Sequence, residues 1–134
     1  MPKFEHLRHK PPTELAQPRE LVVVCAPFKS NVNLSNILRT ASCCGVRKVY
    51  ASGNAKVDKT IARDGADEIE LSVHRTLPPV LKELKLDGYQ LVGLEQTTNS
   101  TLLCEHVFAR RTALVIGNER QGLTDDVLAL LDAV

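Results

Sequence analysis

The run Leu21-Val22-Val23-Val24-Cys25-Ala26 decides the fold. It is apolar and largely β-branched, with no polar residue at alternate positions, so a strand here must be covered on both faces. That is the situation of a strand inside a parallel sheet flanked by helices. The period then changes. After the polar turn Lys29-Ser30-Asn31, the residues Leu34, Ile37, Leu38, Ala41 and Cys44 recur at helical spacing. Gly45 ends that helix as a left-handed C-terminal residue. Asn33 stands near the helix start, where its side chain can cap the backbone.

The same alternation continues outward from this unit. Residues 46–51, 69–73, 90–94 and 113–116 read as further strands. A short polar helix around 58–63 ends at Gly65, and Pro78 and Pro79 open a helix that carries Val80, Leu81 and Leu84 and closes at Gly88. Thr124 caps a last helix whose first turn holds Asp125 and Asp126, at the positive end of its dipole. Five strands with intervening helices give an α/β domain over residues 20–134, with a mostly parallel five-stranded sheet. Residues 1–19 contain Pro2, Pro11, Pro12 and Pro18 and read as an extended lead-in. They also carry Lys3, His6, Arg8, His9, Lys10 and Arg19, either a solvated terminus or a short phosphate-contacting arm.

Composition bounds the partners. With 134 residues the chain fits one compact domain, and 43% hydrophobic with 25% charged residues is ordinary for a globular fold. A net charge of +1 provides no global basic field. The longest apolar runs are too short to span a membrane. The cysteines Cys25, Cys43, Cys44 and Cys104 form no C-x-x-C pair and read as reduced thiols in a cytoplasmic protein, with Cys25 and Cys44 as packing residues. His6-x-x-His9 lacks cysteine or acidic companions, so no metal site is expected. Aromatic residues make up only 4%, which argues against recognition of a nucleic acid by base stacking and favours shape and phosphate contacts.

In such sheets ligands sit beyond the carboxyl ends of the strands, and there the unusual residues fall. After the first strand comes Asn33-Leu34-Ser35-Asn36-Ile37-Leu38-Arg39-Thr40-Ala41. Arg39 reads either as an ordinary surface arginine or as a bidentate phosphate ligand. After the fifth strand comes Gly117-Asn118-Glu119-Arg120-Gln121-Gly122-Leu123. Its two glycines are spaced as in a nucleotide-binding P-loop, but Leu123 occupies the lysine position, so triphosphate binding is excluded. Glu119 beside Arg120 reads either as a solvated pair or as a site carboxylate. Leu94-Glu95-Gln96-Thr97-Thr98 follows the fourth strand and alone is a polar turn.

Together these segments are more specific. N-x-x-x-x-x-R-T-A from Asn33 to Ala41, and V-I-G-N-E-x-x-G-L from Val115 to Leu123, resemble motifs one and two of the SpoU-type (TrmH-like) RNA 2′-O-ribose methyltransferases of the SPOUT superfamily. L-E-Q-T at 94–97 resembles the loop before that family's knot, particularly in tRNA guanosine-2′-O methyltransferases. The resemblance covers roughly residues 20–134. It implies a trefoil-knotted α/β fold, S-adenosylmethionine as methyl donor, a tRNA or rRNA substrate, a homodimer and no metal. By the same resemblance Arg39, Asn33 and Glu119 are the catalytic group, with Arg39 and Glu119 expected near each other at the carboxyl edge of the sheet. Leu94, Glu95, Gln96, Thr97, Ile116, Gly117, Asn118 and Gly122 are the cofactor-binding group. The family continues with I-P-M-x-G and S-L-N-V, whereas this chain ends at Leu131-Asp132-Ala133-Val134, where that strand begins. The expectation is therefore a domain lacking its knot-forming segment, inactive or weak in cofactor binding as given. Two other readings compete: a non-catalytic RNA-binding or dimerisation remnant, and an unrelated flavodoxin-like small-ligand domain.

Overall fold

The structure, a computed structural model, describes residues 1–7 and 20–134. Arg8, His9, Lys10, Pro11, Pro12, Pro18 and Arg19 of the basic lead-in lie outside the described residues. The elements are β1 (Glu20–Cys25), α1 (Asn31–Cys43), β2 (Lys48–Ser52), α2 (Lys59–Ala62), α3 (Gly65–Glu68), β3 (Glu70–His74), α4 (Pro78–Leu86), β4 (Gln90–Leu94), β5 (Arg111–Ile116) and α5 (Asp125–Leu128). The five strands form one sheet in the order β3-β2-β1-β5-β4, and every pairing is parallel.

β1 is central in sequence logic and in space. Val22, Val24 and Ala26 enter one core, with Leu77, Val80, Leu81 and Leu84 of the α4 region and Val127 of α5. Val23 and Cys25 enter the opposite core, with Leu34, Leu38 and Ala41 of α1 and Ala62 and Ile69 beyond it. Both faces of the strand are thus covered, as its unbroken apolar run requires. Cys25 is fully buried, and loss of hydration pushes its thiol up to about 12, so it is an inert packing group.

Two helices end in the same way. Val46 N–H donates to Ala41 O (2.9 Å) and Gly45 N–H to Ser42 O (3.1 Å), with Gly45 at φ +80°. Tyr89 N–H donates to Leu84 O (3.0 Å) and Gly88 N–H to Lys85 O (3.1 Å), with Gly88 at φ +87°. These are Schellman ends, in which a left-handed glycine lets the chain turn back and satisfy two final carbonyls. The first explains a difference from the sequence reading. Val46 is buried but not in a strand, because its N–H is spent on the helix end, and β2 begins at Lys48.

Other boundaries also move. β5 begins at Arg111 rather than Ala113, since Arg111 and Thr112 pair with Glu20 and Leu21 of β1. The single helix expected around 58–63 is two short helices, broken at Arg63 and Asp64. Gly65 does not stop a helix but starts α3, packed against α1 so closely that a Cβ would lie 2.7 Å from Leu38 O and 3.0 Å from Arg39 N. Cys44, expected to pack, is exposed at the end of α1. Thr124 occupies the N-cap position of α5, but its hydroxyl donates to the Asp126 carboxylate instead of accepting a backbone N–H.

The close approach at Gly65 generates the first prediction. In Gly65→Ala the added methyl meets rigid helix backbone, which cannot rotate away as a side chain could. Unfolding by denaturant should show a loss of about 1–3 kcal/mol. Wild-type stability in that variant would contradict the packing of α3 on α1.

Candidate active site

The connections from β1 through β2 to β3 run one way across the sheet, and β5 and β4 lie on the other side of β1. The carboxyl ends of β1 and β5 therefore border the topological switch point, where open α/β sheets place ligands. Two segments leave the sheet there. One is the turn 27–30 leading into α1, and the other is the loop 117–122.

These segments are bound to each other through two side chains of the second one. The Glu119 carboxylate accepts Lys29 N–H with both oxygens (3.1 Å each), Ser30 N–H at Oε2 (3.0 Å) and the Asn33 side-chain amide at Oε2 (3.1 Å). Asn118 donates from Nδ2 to Pro27 O (2.7 Å), and its Oδ1 accepts Arg120 N–H (2.9 Å) and Gln121 N–H (3.1 Å). Glu119 thus sits at the start of α1, where unpaired N–H groups and the positive end of the helix favour an anion. Partial loss of hydration pushes its carboxyl up. The backbone N–H groups of Glu119, Lys29 and Ser30 and the Asn33 amide outweigh this, and the net value is below the ordinary 4.5.

The loop is closed on itself by Asn118 N–H to Gly122 O (3.1 Å) and Gly122 N–H to Asn118 O (2.9 Å). Gly117 leaves no room for a side chain, since a Cβ would lie 2.5 Å from Gly122 C. At Gly122, φ is +66° and a Cβ would lie 2.1 Å from Glu95 Oε2. Glu95 takes that space and accepts Leu123 N–H (3.1 Å) and Gln96 N–H (2.9 Å). The Gln96 and Leu123 amides hold its carboxyl below the ordinary value. Leu94 pairs in register with Ile116, so the segments 94–97 and 116–122 lie side by side at the carboxyl edge. Leu94 is half exposed there, at 52%. Thr97 donates its hydroxyl to Thr98 O, and its own carbonyl accepts Ser100 Oγ–H (2.8 Å).

Arg39 is not among the groups bonded at this junction. It is exposed and, among the described residues, its side chain makes no hydrogen bond or ion pair. It follows Asn33 by six residues on a helix that runs back from the carboxyl edge, about 9 Å along the axis. Asn33 does not cap α1. Ser30 does, accepting Val32 N–H at 3.2 Å, which frees Asn33 to bind Glu119. A serine directly before the helical period carried that signal in the sequence. The amides of Lys29 and Ser30 and the Pro27 carbonyl had none, because a backbone partner leaves no mark on residue type. Among the described residues no group of three or more histidine, cysteine or acidic side chains can hold a metal, and His9 of the histidine pair lies outside them.

Residues 20–134 match the SpoU rRNA Methylase family. The chain belongs to that family. It is 31% identical over 103 residues to the tRNA (guanosine(18)-2′-O)-methyltransferase of Escherichia coli strain K12, a match covering 75% of this chain and 45% of that protein. The TrmH/SpoU tRNA modifying enzyme of A. aeolicus superposes with a TM-score of 0.80 at 26% identity, over 87% of this chain and 61% of that one. The SpoU methyltransferase AviRb of Streptomyces viridochromogenes, in complex with the cofactor AdoMet, superposes with a TM-score of 0.72 at 21% identity, over 86% of this chain and 49% of its own. The chain spans about half the length of the curated relatives first compared with it. The five-stranded all-parallel sheet is the fold of these SpoU neighbours.

The Glu119 junction gives this SpoU domain a pH dependence. Because the carboxyl is lowered on folding, its contribution is complete above the ordinary value of 4.5 and is lost as the pH falls below it. Nuclear magnetic resonance of the Asn33 side-chain amide should follow that titration, with a midpoint below 4.5. In Glu119→Gln the amide protons of Lys29 and Ser30 should exchange faster with solvent. A midpoint above 4.5, or unchanged exchange in the variant, would contradict the bridge.

Proposed function

We propose that this domain is an S-adenosylmethionine-dependent RNA ribose 2′-O-methyltransferase acting on tRNA or rRNA, with Arg39, Asn33 and Glu119 at its site. The observation that carries the reading is the bridge from Glu119 to the start of α1 and to Asn33, which joins the two sequence motifs into one unit. Membership of the SpoU family and the activities named for its relatives support it. Those names favour tRNA within the two RNA classes.

The residues at the carboxyl edge fit the cofactor. Leu94 and Ile116, paired and partly open, offer apolar surface, and the tight loop 117–122 brings backbone amides close to it. An adenosyl group combines a flat apolar base with a polar rim, which suits such a pair of surfaces. Leu94, Glu95, Gln96, Thr97, Ile116, Gly117, Asn118 and Gly122 would form this wall. Glu95 serves it indirectly, since its carboxylate is taken up by Gln96 and Leu123 N–H. When bound, the cofactor supplies an electrophilic methyl group on a sulfonium. Arg39 keeps its cationic guanidinium free to clamp an RNA phosphate and to stabilise the developing charge on the ribose 2′-oxygen. Asn33 and Glu119 fix the start of α1, and so the line along which Arg39 is presented.

A homodimer belongs to the same reading. Leu94, Leu102, Leu103 and Val107 are exposed around the β4–β5 connection, apolar surface that a second copy would cover. The free thiols support a reducing, cytoplasmic setting.

Methyl transfer to unmodified tRNA transcripts, read by mass spectrometry, tests the proposal. Arg39→Ala should lower transfer by about 10²–10³-fold, the scale of losing one transition-state donor. Calorimetry with S-adenosylmethionine should show cofactor affinity nearly unchanged in that variant. Wild-type chain that transfers no methyl to tRNA or rRNA transcripts would sink the reading. A large loss of cofactor affinity in Arg39→Ala would sink the assignment of Arg39.

A further inference from the structure

Arg63 has φ 51° and ψ −127°, and Asp64 follows at φ −60° and ψ −25°. These are close to the dihedrals of a type II′ turn, whose first central position belongs to glycine. The other non-glycine residue at positive φ among the described residues is Asn99, and asparagine tolerates that region. An arginine held in this conformation is strained, and the surroundings must enforce it. They do. Asp58 N–H donates to Ser35 Oγ (2.8 Å), and Ser42 Oγ–H donates to Glu68 Oε2 (2.6 Å), so the segment is tied to α1 at both ends. Ala62 is fully buried and Gly65 is wedged against Leu38 O and Arg39 N, which leaves the turn no alternative path.

The arginine's head is not used within the domain. Asp58, Asp64, Asp67 and Glu68 all lie within five residues of it, yet among the described residues Arg63 makes no side-chain hydrogen bond or ion pair. Asp58 is spent on capping α2 through Thr60 N–H, and Glu68 receives Ser42. Glycine would suit this backbone better, yet the position holds an arginine whose head is exposed.

Its position says what for. Ser35, Arg39 and Ser42 are spaced i, i+4 and i+7, on one stripe of α1. The segment 58–68 is bonded to the first and last of them and so runs alongside Arg39. Gly65 touches the Arg39 backbone, and the Cα of Arg63, two residues away, lies within about 7 Å of that of Gly65. Two exposed guanidinium groups without side-chain partners among the described residues therefore arise from adjoining backbone. We propose that Arg63 is a second phosphate-contacting residue, gripping the RNA backbone next to the phosphate held by Arg39. This rests on the methyltransferase reading above and extends its substrate surface.

The test uses the whole chain and a fluorescently labelled unmodified tRNA transcript, titrated over a range of salt, with melting temperature measured on the same samples. Arg63→Gly should melt at or above the wild-type temperature, because glycine suits the turn. It should bind RNA roughly fivefold to tenfold more weakly, with the slope of log affinity against log salt shallower by about 0.7–0.9, the loss of one phosphate contact. Arg63→Lys, which keeps the charge, should retain the wild-type slope. Wild-type affinity and slope in Arg63→Gly would overturn the inference and leave the methyltransferase reading standing. A lowered melting temperature in Arg63→Gly would overturn the claim that the arginine is held against its backbone preference. Wild-type chain that binds no RNA at low salt would overturn both together.

Discussion

β1 has no free side. β2 and β5 take its two hydrogen-bonding edges, and apolar cores cover its two faces. Such a strand can present chemistry only at its end, and the chain leaves that end at the same point where β5 delivers the loop 117–122. The two exits crowd one another, and each brings backbone N–H groups that need acceptors. Glu119 and Asn118 supply the acceptors for both exits. The site thus follows from closing the sheet around a strand that is buried from Val22 to Cys25, up to the end where the chain leaves it.

The sequence showed most of this arrangement where the information is local. An unbroken apolar run, a change of period and two glycines after helical segments placed β1, α1, α4 and their ends without any knowledge of the fold. The boundaries that moved were decided by distant partners. Arg111 and Thr112 join β5 because Glu20 and Leu21 lie opposite, and the break at Arg63 exists because α1 occupies the space where a longer helix would continue. Neither cause can be read from the neighbours in sequence. The site divides similarly. Asn33, Glu119 and Asn118 stand out as site residues through the resemblance of their segments to the SpoU motifs, not by residue type alone. Their partners, the amides of Lys29 and Ser30 and the carbonyl of Pro27, are backbone groups that any residue offers. Arg39 lies six residues beyond Asn33 on α1, and no hydrogen bond or ion pair links it to Glu119.

The rigid part and the open part of the site are therefore different residues. The loops after β4 and β5 are tied by hydrogen bonds through Glu95, Asn118 and Glu119, on glycines that admit no side chain. Loops held in this way are preorganised, so a ligand resting on them pays little to order them. The Arg39 backbone is fixed by α1 and by Gly65 packed against it, whereas its exposed side chain keeps its rotamer freedom. Such a residue suits a partner that arrives with its own charge and geometry.

The net charge of the chain is only +1, so any use of an arginine as a free cation depends on how the acids nearby are partnered. The carboxylates at the carboxyl edge, Glu95 and Glu119, form no ion pair with an arginine among the described residues. Glu119 is bound by α1 amides and Asn33, and Glu95 by the amides of Gln96 and Leu123. At Glu119 the helix start contributes a partial positive charge of roughly half a unit, so part of the carboxylate's field is offset by fixed dipoles. An arginine paired to either acid would have to break that pair before it could bind phosphate, and the exchange would return little net energy. Acids satisfied by the backbone in this way leave the Arg39 side chain unpaired among the described residues, as the proposed phosphate contact requires.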